Sequence, residues 1–185
     1  MQYYNAEDLA AAFRTVRKNT IQVAEDIPEE SYSFRAAPEV RSVTEILAHI
    51  AMAPRFTKRQ QTQRITHPDF ATFRDLQEQL MKDQAELTTK RQIVDALRAG
   101  GEEFATWLET LDEGMLAERV YFPEGAQPPS KTRFEMLLSA KEHEMHHRGQ
   151  LMLIERMVGV LPHLTRQQRE RMAALEQQQA AAKHA

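Results

Sequence analysis

Apolar residues recur at steps of three and four along four stretches of the chain, a spacing that predicts four amphipathic helices. The first starts from Asn5 as a cap, with Glu7 and Asp8 in its first turn, and runs through Leu9, Phe13, Val16, Thr20, Val23 and Ile27 to Pro28. Residues 28 to 41, which hold Pro28 and Pro38, read as a loop. Ser42-Val43-Thr44-Glu45 fits a capping box, and the second helix follows with Ile46, His49, Ile50, Ala53 and Phe56 on one side. Pro54 inside it removes a hydrogen bond to Ile50 and predicts a bend. The third stripe is Ile93, Leu97, Phe104, Leu108 and Leu111, crossed by Gly100-Gly101, which marks a kink or a close helix crossing. The fourth helix spans about Thr132 to Val158 and is stopped by Gly159 and Pro162.

The connections decide how these helices are arranged. Residues 63 to 88 are polar, with a turn at His67-Pro68-Asp69 and a short extra helix implied by Phe70, Phe73, Leu76, Leu80 and Met81. Adjacent antiparallel helices need about 2–8 linking residues, so this longer link implies a crossover, although a fifth helix packed outside also fits. The expected fold is all-α: a four-helix bundle, up-down-down-up, with a long crossover between the second and third helices. Residues 112 to 130, with Gly114, Pro123, Gly125, Pro128 and Pro129, read as a long irregular connection. Residues 1–164 form the expected bundle, and residues 165–185 a polar tail that is either a loosely attached helix or a frayed end.

Composition narrows the chemistry. The 185 residues include no Cys, which excludes disulfides, thiolate zinc sites and a Cys nucleophile. Net charge is −3, from 24 basic and 27 acidic residues, and offers no electrostatic footprint for nucleic acid. No apolar run approaches the roughly 18 residues of a membrane span. Met1-Gln2-Tyr3-Tyr4-Asn5 lacks the basic and apolar regions of a signal peptide, so the expected location is the cytoplasm.

Three of the seven histidines crowd into Glu142-His143-Glu144-Met145-His146-His147. His143 and His147 lie one helical turn apart, on the face shared by Met136, Ala140, Gln150 and Ile154. Two imidazoles turned into an apolar core need partners, and a divalent metal bound by neutral nitrogens satisfies both. His49, on the inward face of the second helix, is the candidate third ligand. Three His ligands leave positions open for water or substrate, as in a working site. Gln150 lies near the ligand direction and is placed to orient a ligand or a water, whereas His146 is displaced by one residue step and reads as supporting or partly exposed. Arg148 points away, toward a surface or intersubunit contact, and Gly149 allows a neighbouring helix or chain to approach. His67, His163 and His184 are expected to be solvated.

The segment also matches H-E-x-x-H, in which Glu144 would be the general base of a metal-assisted hydrolysis. On the helical wheel Glu144 sits about 80° from the mean ligand direction, taking about 100° per residue, and a solvated surface carboxylate is the competing reading. A di-iron centre needs two Glu-x-x-His motifs, and only Glu144 to His147 has that spacing.

Arg41-Ser42-Val43-Thr44-Glu45-Ile46-Leu47-Ala48-His49-Ile50-Ala51, then Thr132-Arg133-Phe134-Glu135-Met136-Leu137-Leu138 and His143-Glu144-Met145-His146-His147-Arg148-Gly149-Gln150-Leu151, resemble the DinB-like (damage-inducible) metal-binding helical bundles. The resemblance spans roughly residues 5 to 164. It implies an up-down-down-up bundle, often dimeric, that binds nickel, zinc or a similar divalent ion, with the family's three histidines falling on His49, His143 and His147. Relatives include bacillithiol and mycothiol S-transferases and a mycothiol-dependent maleylpyruvate isomerase. The expected function is therefore a metal-dependent thiol S-transferase acting on electrophilic small molecules. The metal would favour the thiolate form of a low-molecular-weight thiol co-substrate, since the chain has no thiol of its own. The alternatives are a metal-dependent hydrolase and a non-catalytic, stress-related binding protein. A homodimer is expected, through Met145, Met152 and Leu153 on the outer side of the fourth helix, unless residues 166 to 180 fold back over them.

Overall fold

In a computed structural model the described residues are 4–183. Seven helices and one small hairpin follow one another as α1 (Ala6–Asp26), α2 (Val43–Thr62), α3 (Phe70–Ala85), α4 (Lys90–Glu109), α5 (Glu113–Ala117), β1 (Arg119–Tyr121), β2 (Ser130–Thr132), α6 (Arg133–Met157) and α7 (His163–Lys183). A 3-10 turn at Glu29–Ser31 interrupts the first loop. The fold is all-α apart from that hairpin.

The helices α1, α2, α4 and α6 each open on a reciprocal capping box: Asn5 with Asp8, Ser42 with Glu45, Thr89 with Gln92, and Thr132 with Glu135. In each box two backbone N–H groups that the helix leaves unpaired find side-chain acceptors. α1 packs on α4 and α6, and α2 packs on α4, α6 and α3. At one end Leu9 and Phe13 from the start of α1 meet Phe104 and Leu108 from the end of α4 and Leu137 from the start of α6. At the other end Val23 and Ile27 close α1 against Leu47 and Ile50 of early α2, Ile93 and Leu97 of early α4, and Leu151 and Ile154 of late α6. Both α2 and α4 thus begin at the same end, and the chain returns between them through α3, which covers about 24 Å in 16 residues at about 1.5 Å each.

α4 runs unbroken through Gly100-Gly101, so the pair serves a close crossing rather than a kink. A Cβ on Gly101 would lie 2.7 Å from Arg17 Cγ, and one on Gly100 3.6 Å from the Ala51 carbonyl oxygen. The connection read as irregular is partly ordered: it holds α5 and an antiparallel ladder pairing Arg119 with Thr132, Val120 with Lys131 and Tyr121 with Ser130. In α3, Leu76 and Leu80 are buried, whereas Phe70 and Met81 are 78% and 62% exposed, so the sequence stripe is only half right. The tail is helical as α7, yet residues 167–182 are all exposed and leave Met145 and Leu153 uncovered. Met152 instead turns inward onto the core. No helix among the described residues is long and apolar enough to cross a membrane.

Candidate metal centre

His49 lies seven residues into the helix capped by Ser42, and His143 and His147 lie in the middle of α6; the packing of α2 on α6 brings the three together. His49 Nε2 is 2.9 Å from His143 Nε2, which is 3.2 Å from His147 Nε2. One ligand atom from each residue lies within 4.8 Å of the others. The rings stand edge to face, with centroids 4.8, 5.0 and 4.6 Å apart, so each presents a nitrogen edge to a common point.

Burial holds these rings neutral. It pushes His49 and His143 down to about 4, assisted by the neighbouring imidazoles and by the Arg41 charge. His147 is lowered by burial too, against the opposing hydrogen bond it donates to Gln150. Neutral imidazoles offer lone pairs, and three ring nitrogens facing one point suit a cation between them. Nitrogens at about 2.0–2.1 Å around a tetrahedral zinc lie about 3.3 Å apart, close to the spacing found here. The donor set fits a divalent metal.

The outer nitrogens are held as well. Gln150 Oε1 lies 2.9 Å from His147 Nδ1, where it accepts the ring proton and leaves Nε2 free. The amide nitrogen of Gln84, at the end of α3, lies 3.1 Å from His49 Nδ1. With the amide turned over, its oxygen accepts the His49 proton in the same way. The sequence singled out Gln150, which is solvent-exposed while contacting His147, and did not single out Gln84. The available signal was the α3 face Phe73, Gln77, Leu80 and Gln84, spaced to share one side of a helix.

Two cavities adjoin His49. One, of about 370 Å³, runs between α2, α3, α6 and the hairpin and is lined by His49, His143, Phe56, Phe73, Phe122, Leu80, Met136 and Lys131, among others. The second, of about 560 Å³, is more polar, with Arg41, Thr44, Gln77, Gln84 and Thr88 in its lining.

Other expected site residues go elsewhere. Glu144 is neither a solvated carboxylate nor a neighbour in the histidine cluster: it is buried against α1, where Arg17 donates to both its oxygens. The 80° offset on the wheel points it at α1. His146 is exposed, its Nε2 3.3 Å from the Gln150 amide nitrogen. Arg148 reaches inward, donating from Nη1 to the Val16 carbonyl, rather than outward to a partner. His163 is buried at 3% exposure and contacts Asn19 Oδ1 at 3.2 Å, against the expectation of a solvated ring, because α7 begins there and docks on α1. His67 is exposed and stacks on Tyr121, and His184 lies outside the described residues.

Solved structures with this fold include a DinB-like protein (YjoA) of Bacillus subtilis, 22% identical, aligned over 82% of this chain and 92% of its own, with a TM-score of 0.61. A DinB-like protein of Bacillus cereus is 17% identical, with 87% and 97% covered and a TM-score of 0.66. At such identities the likeness is one of fold. No curated protein matches the sequence. Residues 12–151, most of the chain and all three clustered histidines, match the DinB superfamily, and the protein belongs to that family.

Proposed function

We propose that this protein is a metal-dependent thiol S-transferase for electrophilic small molecules, with His49, His143 and His147 holding one divalent ion, nickel or zinc. The observation that carries it is the convergence of three neutral Nε2 atoms at the meeting of two cavities of different character. An ion held by three imidazoles is a Lewis acid that favours the thiolate form of a thiol. The remaining work falls to the chain. Gln150 keeps the His147 ring proton on Nδ1, Gln84 with its amide turned over does the same for His49, the phenylalanines of the smaller cavity exclude water from the electrophile, and the polar cavity beside Arg41 accommodates a hydrophilic thiol. In the transfer the thiol gives up its proton, its sulfur bonds to the electrophilic carbon, and the leaving group departs with its electron pair.

The hydrolase reading loses its base, because both Glu144 oxygens are engaged by Arg17. The four long helices are read as an up-down-down-up bundle, supported by the helix ends that share each apolar cluster. A homodimer is proposed through α6, where Met145, Leu153 and Met157 stay exposed with α7 in place. Light scattering on the full chain, on Leu153→Lys and on a chain ending at Thr165 tests it. Dimers that only Leu153→Lys dissolves support the interface; a monomeric full chain that associates on truncation overturns it.

The main test is elemental analysis of untagged protein, paired with assays using several small thiols and an alkylating electrophile. Stoichiometric metal with thiol-dependent turnover is expected. Metal without turnover would favour a binding protein instead.

A further inference from the structure

The smaller cavity has a composition more specific than its volume. Phe56, Phe73 and Phe122 come from α2, α3 and the segment after β1, and with Leu80 and Met136 they make an apolar chamber ending at His49 and His143. The three rings are only half-buried although each has an apolar environment, because their free faces form the wall. One lining residue is charged at neutral pH: Lys131, on β2. Its ladder position is opposite Val120, which is buried on the hairpin's core side.

Lys131 is half-buried and makes no ion pair or hydrogen bond among the described residues; half-buried Lys141 on α6 makes none either, but it does not line this chamber. Arg14 is held by Glu102 and Glu109, and Lys58 by Glu103. Glu135 feels the Lys131 charge, but its carboxylate is taken up by the Thr132 backbone and hydroxyl. An ammonium with no directly bonded carboxylate at the edge of an apolar chamber attracts an anion, and low-dielectric walls strengthen that attraction.

We infer that the cavity takes an amphipathic anion: a small molecule with an aromatic or otherwise apolar body lying among the three phenylalanines and a carboxylate or similar anionic group on Lys131. This inference deepens the transferase reading, since it assigns the class of the electrophilic substrate. A ligand of this class spans the cavity, with its anionic group on Lys131 and its body extending toward the histidines. Neutral and cationic compounds of the same shape lack the Lys131 contact.

The test uses matched probes on the full chain: 4-phenylbutyrate, 4-phenylbutan-1-ol and 4-phenylbutylamine, titrated calorimetrically into metal-free and zinc-loaded protein. The carboxylate is expected to bind about tenfold more tightly than the alcohol in both forms, in keeping with a charge-assisted hydrogen bond, and the amine more weakly still. Lys131→Met should erase the difference between acid and alcohol, Lys131→Arg should keep it, and Phe73→Ala should weaken both probes alike. Circular dichroism confirms that each variant is folded. Equal binding of acid and alcohol, binding of neither, or a preference that survives Lys131→Met would each overturn the inference. A preference that appears only with zinc would overturn it too, because the ion would then be reading the carboxylate. The metal-free titration is independent of metal uptake and turnover, so failure of the transferase reading is registered separately.

Discussion

Arg17 on α1 grips Glu144 on α6 through Nε at 2.9 Å and Nη2 at 2.8 Å, and the same guanidinium donates to the carbonyls of Leu97 on α4 and Ile50 on α2. One side chain thereby touches all four long helices at the centre of the fold, with both partners almost sealed from water. Removing one member of such a pair strands a buried charge. Glu144→Gln is therefore expected to cost about 3 kcal/mol in a urea melt while metal stoichiometry stays at the parent value. A variant of parental stability whose metal-dependent activity is abolished would show Glu144 to be a catalytic base after all.

Arg17 also explains why two adjacent glycines differ. Gly101→Ala drives a methyl to 2.7 Å from the Arg17 stem, which is pinned by the guanidinium's bonds to Glu144, Leu97 and Ile50, and should destabilise by about 1–3 kcal/mol. Gly100→Ala meets only ordinary contact at 3.6 Å and should be neutral or gain up to about 1 kcal/mol from helix propensity. Thermal melts of the two single variants decide it, and equal losses would discount the Arg17 contact.

Gln84 is expected to support the metal without touching it. Gln84→Leu frees the outer nitrogen of His49 and should weaken zinc affinity about 10–100-fold in chelator competition, with one ion per chain still bound at saturation. Replacing His49, His143 or His147 by Ala should instead lower the stoichiometry itself. Unchanged affinity in Gln84→Leu would show that the α3 contact is incidental.

Glu155 is fully buried on α6, and neither carboxylate oxygen has a hydrogen-bond partner among the described residues. Burial, with the Asp26 charge second, pushes its carboxyl from 4.5 up to about 7. Between those values the folded chain keeps a proton that the unfolded chain has released, so stability from this site is full below about 4.5 and is lost as pH rises through about 7. His49 and His143, shifted down to about 4, act oppositely, losing stability as pH falls below 6.5. The comparison must therefore be wild type against Glu155→Gln, in which the histidine contributions cancel. From pH 5 to pH 8 the wild type should lose on the order of 1–3 kcal/mol relative to the variant. Parallel pH profiles would show that Glu155 titrates normally.

Local spacing alone determined much of this protein. Caps such as Ser42 with Glu45 act over three residues, and the facing of His143 with His147 acts over four, so both are written in consecutive sequence. The inward face of the second helix placed His49 by the same rule. Only tertiary packing decided the rest, because each remaining feature depends on which element covers a flank. Glu144 could be read as a general base or as a solvated carboxylate until Arg17, 127 residues away, was laid beside it. His163 became buried because α7 starts on α1 rather than past the end of the fold, 144 residues from its partner Asn19. Gln84 reached His49 only because the crossover returns along α2 as a helix. The hairpin that delivers Lys131 is three residues a strand, too short for a period to register; cross-strand pairing and its docking against the helices hold it, and neither is a property of the segment alone.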